Sequence, residues 1–85
     1  MKYSIHYPLI MATNHLKNTL RRHRYLSGEM TQRDLAERVG VSRQSIIAIE
    51  QGKFRPSVEL ALRMAVVFGT RVEDLFQLNH EGETP

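Results

Sequence analysis

Apolar residues recur three or four positions apart in five stretches of the chain, a spacing that places them on one face of an α-helix. The pattern predicts five helices with these inward residues: Leu16 and Leu20; Leu35, Ala36 and Val39; Ile46 and Ile49; Leu60, Ala61, Met64 and Val67 or Phe68; Val72, Leu75 and Phe76. No convincing sheet and no internal repeat is predicted. The expected fold class is therefore all-α.

Polar residues that favour helix starts precede these stretches. The predicted N-caps are Asn14, Thr31, Ser42, Ser57 and Thr70, because their side chains can accept hydrogen bonds from the free N–H groups of a first turn. Asp34 lies three residues after Thr31 and completes a capping box. Gly40 and Gly69 end two of the helices.

The two ends of the chain follow other patterns. Tyr3, Ile5 and Tyr7 alternate with polar residues, which predicts either a short N-terminal extended arm over residues 1–13 or an extension that is disordered on its own. Residues 79–85 are predicted to be a disordered acidic tail. One domain is expected over residues 14–78.

The most specific segment is residues 32–51, QRDLAERVGVSRQSIIAIEQ. Two short helices that cross steeply need a small contact residue, which Ala36 supplies, and a turn residue that tolerates a positive φ, which Gly40 supplies. Ile46 and Ile49 give the second helix one narrow buried face. This arrangement is typical of a helix-turn-helix, whose second helix lies in the major groove of DNA.

Composition narrows the function classes. The chain has 85 residues, 41% of them hydrophobic, which suits one small folded domain. The absence of cysteine excludes disulfides and cysteine-ligated zinc, and no apolar run reaches the roughly 20 residues of a membrane span. With no signal-peptide pattern either, we expect a cytoplasmic location and no membrane partner.

Charge is distributed unevenly along the sequence. All twelve Lys and Arg residues lie at or before Arg71, together with five acidic residues, whereas the four acidic residues after it stand without a Lys or Arg. A basic body suits a polyanionic partner, because each cation placed on a phosphate releases counterions.

The second helix of the motif carries the candidate base contacts. Arg43, Gln44 and Ile47 lie on the face opposite Ile46 and Ile49. Arginine pairs with guanine and glutamine with adenine through two hydrogen bonds each. Ile47 has two interpretations that stay open, contact with a thymine methyl group or packing in the core.

Candidate phosphate contacts flank these residues. The backbone amides of Thr31 and Gln32, with the Gln32 side chain, are predicted to form one anion site at a helix N-terminus. Ser42 either caps its own helix or donates to phosphate. Lys53 and Arg55 follow the third helix, where they contact the DNA backbone or are simply solvated charges.

From Leu16 to Leu78 the chain resembles the Xre family of helix-turn-helix regulators, the class of the phage Cro proteins and repressors. The similar segment is EMTQRDLAERVGVSRQSIIAIEQGKFRPSVELALRMAVVFGTRVEDLF. The resemblance implies the compact five-helix, lambda-repressor-like DNA-binding fold and operator binding, usually as a dimer. It also implies DNA-facing positions for Gln32, Arg43, Gln44, Ser45, Gln51 and Lys53, of which Ser45 and Gln51 are assigned to phosphate, and a structural pair of Arg24 with Glu50.

Other function classes have less support. No phosphate-binding glycine-rich loop, nucleophile motif or metal-type histidine spacing is present, so we expect no enzyme, catalytic residue, metal or cofactor. The rival hypothesis is an antitoxin-like or other protein-interaction module.

The expected partner is double-stranded DNA, bound at a palindromic operator by a homodimer that acts as a repressor. The predicted dimer interface is the fifth helix, with Val72, Leu75, Phe76 and Leu78, and the alternative is the N-terminal arm. A chain this short leaves no room for a sensor domain, so no small-molecule ligand is expected.

Overall fold

The computed structural model describes residues 15–79. Within that range the chain forms five α-helices and one two-stranded antiparallel sheet. In chain order the elements are β1 (His15–Asn18), α1 (Leu20–Leu26), α2 (Gln32–Val39), α3 (Arg43–Glu50), α4 (Val58–Phe68), α5 (Val72–Leu75) and β2 (Phe76–Asn79). The predicted five-helix fold is confirmed, with a small sheet added to it.

The sheet corrects the prediction for both ends of the domain. Leu16 lies on β1 opposite Leu78 on β2, so the first helix begins at Leu20 and the last ends at Leu75. The backbone N–H of Thr19 also donates to the carbonyl oxygen of Leu75 at 2.9 Å. The helical spacing of Leu16 and Leu20 was misleading, because a strand this short is determined by its distant partner rather than by its own pattern.

Side-chain caps fix where the central helices begin. The hydroxyl oxygens of Thr31, Ser42 and Ser57 accept hydrogen bonds from backbone N–H groups of their first turns at 2.9, 3.1 and 3.1 Å. These three predicted caps are confirmed. The predicted cap at Thr70 is wrong, since α5 starts after Arg71 and the Thr70 hydroxyl instead donates to Asp74 Oδ2 at 2.8 Å.

The core lies between the five helices. Its fully buried side chains are Leu20, Leu35, Val39, Ile46, Ile49, Met64 and Leu75. Leu75 and Phe76 are buried and Val72 packs partly against the same cluster, so α5 does not present the unburied apolar face that its sequence predicted. Only Leu78 of that predicted interface is substantially exposed, at 43%.

Three expectations concern residues beyond the described part of the chain. The N-terminal arm with its alternative, the Asn14 cap and residues 80–85 of the predicted disordered tail lie outside residues 15–79. The first residue of that predicted tail, Asn79, instead belongs to β2 and is paired with His15. Within the described range, the helices are too short to cross a membrane.

Candidate nucleic-acid interface

The turn between α2 and α3 has the geometry that its sequence predicted. Gly40 adopts the left-handed conformation at φ 79°. The backbone N–H groups of Gly40 and Val41 both donate to the carbonyl oxygen of Ala36, at 2.9 and 3.0 Å. Ala36 is buried, so its small side chain lets the two helices approach closely.

One face of α3 is buried and the other is free. Ile46 and Ile49 are 0% and 1% exposed, which fixes the inner face. Arg43 and Gln44 are exposed on the first turn, and Ile47 is half-buried. An outer face with an arginine and a glutamine at the start of a helix is suited to hydrogen bonding with base edges.

A concave groove runs beside this face, with a volume of about 910 Å³. Four arginines supply most of its charge, so the groove suits a phosphate backbone. Its lining residues are Arg21, Arg24, Thr31, Gln32, Arg33, Arg43, Glu50 and Gln51. Sequence reasoning missed Arg21 and Arg33, although each lies within three positions of a residue that it did single out.

Three helices are joined in the wall of this groove by the side chain of Glu50. Arg24 on α1 donates from Nε to Glu50 Oε2 at 2.7 Å and from Nη2 to Oε1 at 3.0 Å. Gln32 on α2 donates from Nε2 to the same Oε1 at 3.1 Å. The third group of Arg24, Nη1, donates to the carbonyl oxygen of Met30 at 2.8 Å and so holds the loop before α2.

This network leaves Gln32 able to bind an anion. The Gln32 side-chain amide has two N–H bonds, of which the Glu50 carboxylate uses one. The remaining N–H is oriented by the first, because the amide is planar. Glu50 therefore positions Gln32 and ties α3 to α1 and α2, while its own charge is paired with Arg24.

The α2 N-terminus offers fewer backbone donors than the sequence suggested. The Thr31 N–H donates to Asp34 Oδ2 at 3.1 Å, so it is occupied by the capping box. The Gln32 amide remains available, since first-turn amides have no acceptor within their own helix. The Thr31 backbone N–H, and then the Thr31 side chain, hold the pKa of Asp34 below its ordinary value of 3.8.

The remaining predicted contacts lie around the ends of α3. Ser42 Oγ caps the helix and also lies 3.0 Å from Ser45 Oγ, so the two hydroxyls share one hydrogen bond. Gln51 ends α3 and lines the groove. Lys53 and Arg55 are exposed on the loop that follows and lie outside the groove lining.

This geometry agrees with comparisons to known proteins. The model of a helix-turn-helix family matches residues 22–75, which include every described helix except the first two residues of α1. The chain belongs to this family. The Xre-type assignment made from the sequence is confirmed.

Relatives from archaea and bacteria are similar over most of the domain. A protein of Methanocaldococcus jannaschii named as an uncharacterized HTH-type transcriptional regulator is 52% identical over 61 residues, 72% of this chain and 91% of the relative. One of the same name from Methanothermobacter thermautotrophicus is 47% identical over 68 residues, 79% of this chain and 97% of the relative. The similarly named YgzD of Bacillus subtilis is 45% identical over 51 residues, 60% of this chain and 77% of the relative.

Proposed function

We propose that this chain is a transcriptional regulator that binds double-stranded DNA in a sequence-specific manner, as a repressor at a palindromic operator. The observation that carries the proposal is the outer face of α3, where Arg43 and Gln44 are exposed beside a groove lined with arginines. The names of its relatives support the same class of activity.

Base recognition is assigned to α3. Arg43 donates two hydrogen bonds to guanine N7 and O6, and Gln44 pairs with adenine N6 and N7. Each such pair discriminates against the wrong base by about 1–3 kcal/mol. Ile47 is half-buried, and its accessible part contacts a thymine methyl group.

Phosphate binding is assigned to the groove and to the ends of the motif. Gln32 donates its second amide proton, and Arg21 and Arg33 add charge from the groove wall. These contacts fix the orientation of the domain on the duplex without carrying sequence information. The other proposed phosphate contacts are Ser42, Ser45, Gln51, Lys53 and Arg55.

A dimer fits this mode of binding. One recognition helix covers only a few base pairs, whereas two related by a two-fold axis contact inverted half-sites about 34 Å apart on one face of the duplex. The repeat of the half-sites then reproduces the symmetry of the protein.

A binding selection from a random duplex library at fixed salt tests the proposal. We expect one enriched site with two inverted half-sites separated by about one helical turn, with centres roughly 34 Å apart. Recovery of duplexes without a shared sequence would contradict sequence-specific binding. Enrichment of a single unrepeated half-site would retain DNA recognition and exclude the palindromic operator.

A further inference from the structure

The outer face of α4 carries a line of exposed apolar side chains. Val58, Leu62 and Val66 are 77%, 53% and 81% exposed, and they are four residues apart, so they form one stripe along the helix. An apolar groove with a volume of about 380 Å³ adjoins the stripe, with Val58 and Leu62 in its lining. We call the stripe and the groove together the α4 apolar surface. A contiguous apolar surface of this kind marks a site of interaction, whereas singly exposed apolar residues do not.

The N-terminal end of β1 lies at this surface. β1 begins at His15, and the next residue, Leu16, lines the groove together with Val72 and Phe76. The residues that precede β1 in the chain are therefore tethered beside the groove. A short tether gives a segment an effective concentration on the order of millimolar, which a separate partner would have to match in order to compete.

The composition of residues 3–12, YSIHYPLIMA, matches an apolar surface. Seven of these ten residues are hydrophobic and none is Lys, Arg, Asp or Glu, although 25% of the whole chain is charged. Segments that remain solvated on their own combine low hydrophobicity with high charge, which is the opposite composition. The segment also has no lysine or arginine with which to neutralise a phosphate. Its chemistry therefore favours apolar burial over water or a DNA backbone.

The pattern and the length of the segment both allow it to reach the groove. Tyr3, Ile5 and Tyr7 alternate with polar residues, so in an extended segment their side chains lie on one face. The connection from that face to β1 is residues 8–14, which can span up to about 25 Å. This length suffices to return the segment to a groove that Leu16 itself lines.

We propose that residues 3–12 bind the α4 apolar surface of their own chain, with Tyr3, Ile5 and Tyr7 facing the groove. The occupant of the surface is then a segment of the same chain rather than a second copy. The linings of this groove and of the arginine-lined groove share no residue, so the bound segment leaves the candidate nucleic-acid interface open. The inference does not depend on DNA binding, and both experiments below are performed without DNA.

Methyl NMR spectra of the full chain compare Ile5→Asp with Ser4→Asp. Each variant adds one carboxylate to the segment, but neighbouring residues of an extended segment point to opposite faces, so only Ile5→Asp places the charge against the groove. We expect Ile5→Asp to shift the methyl signals of Val58 and Leu62 and to lower the urea midpoint, because an unpaired charge is costly to bury. Ser4→Asp should leave both unchanged. Identical spectra for the two variants would overturn the proposal.

A disulfide distinguishes binding within one chain from binding between two chains. The chain has no cysteine, so Ile5→Cys combined with Leu62→Cys carries only the two introduced thiols. In the control, Ile5→Cys is combined with Leu26→Cys, at an exposed residue of α1 outside the groove lining. On mild oxidation of dilute protein, the bond within one chain should form at least about ten-fold faster with Leu62→Cys than with Leu26→Cys. Equal rates, or a covalent dimer whose yield rises with protein concentration, would count against the proposal.

Discussion

The side chain of Glu50 on α3 accepts hydrogen bonds from Arg24 on α1 and from Gln32 on α2. It therefore connects the packing of the helices to a residue of the candidate interface. Its side chain is 9% exposed and that of its partner Arg24 is 13% exposed. A pair with so little contact with water is costly to break, because removal of one member leaves an uncompensated charge. The carboxylate also holds Gln32, a proposed phosphate contact.

A double-mutant cycle measures this coupling. Glu50→Met and Arg24→Met should each lower the free energy of unfolding by about 3 kcal/mol, and the variant that carries both substitutions should lose less than the sum of the two single changes. Urea unfolding gives the four values. As a control, Glu59→Gln breaks an exposed pair with Arg63 and should cost less than about 1 kcal/mol. Additive effects of the Arg24 and Glu50 changes would show that the pair is not a unit.

The roles of the motif residues could be predicted from the sequence because each role depends on residues that are close in the chain. The small Ala36, the left-handed Gly40 and the inward Ile46 and Ile49 all follow from the spacing along the sequence. The hydrogen bond from Gln32 to Glu50 was not predicted. It joins two residues that are distant in sequence, and only the crossing of the helices brings them together.

Among the helices, the start of α2 is stabilised by a capping box that includes an ionisable group, the carboxyl of Asp34. The Thr31 N–H, followed by the Thr31 side chain, lowers the pKa of Asp34, so the ionised carboxylate stabilises the folded state. This stabilisation is fully present above the ordinary pKa of 3.8 and is lost as the pH falls through the lower value of the folded state.

The variant Asp34→Asn tests the cap. The difference in unfolding free energy between wild type and variant should be constant near neutral pH and shrink as the pH falls below about 4. Urea unfolding over a pH series measures it. Ser57→Ala removes the hydroxyl cap of α4 and should cost about 1 kcal/mol at every pH, since it removes no carboxylate. A difference for Asp34→Asn that does not change with pH would show that the ionised carboxylate of Asp34 does not stabilise the folded state.

The elements differ in how far their own sequence determines them. The starts of α2, α3 and α4 were predicted because Thr31, Ser42 and Ser57 act within one turn. The strands β1 and β2 were not predicted, because their hydrogen bonds join opposite ends of the domain. α5 ends at Leu75, where the chain turns into β2 and buries Phe76.

At the scale of the whole molecule, the described residues carry two separate surfaces of opposite character. The groove beside α3 is lined by arginines, and the groove beside α4 is apolar. The family and the expectation of DNA binding could be predicted from the sequence, because the helix-turn-helix motif occupies one continuous segment, residues 32–51. The exposed apolar residues Val58, Leu62 and Val66 of α4 were not singled out, although they lie outside the inward set that the helical spacing predicted.

In the proposed complex α3 contacts the bases and the residues that flank it contact phosphate, so variants of the two groups should behave differently. Lys53→Gln removes a proposed phosphate contact, so affinity should fall by a similar factor for every duplex. The slope of log affinity against log salt should also decrease in magnitude by about one for each bound subunit. This variant is the matched control for changes in Arg43 and Gln44, which carry the proposed base contacts.

Sequence recognition by α3 is measured by the ratio of two affinities at one salt concentration, that for the selected operator and that for an unrelated duplex of equal length. For the wild type it should be about 10³ or more. Arg43→Ala combined with Gln44→Ala should lower the ratio by at least about 100-fold with the fold intact, while Lys53→Gln should leave it unchanged. A ratio for the folded double variant equal to that of the wild type would contradict the assignment of sequence recognition to α3.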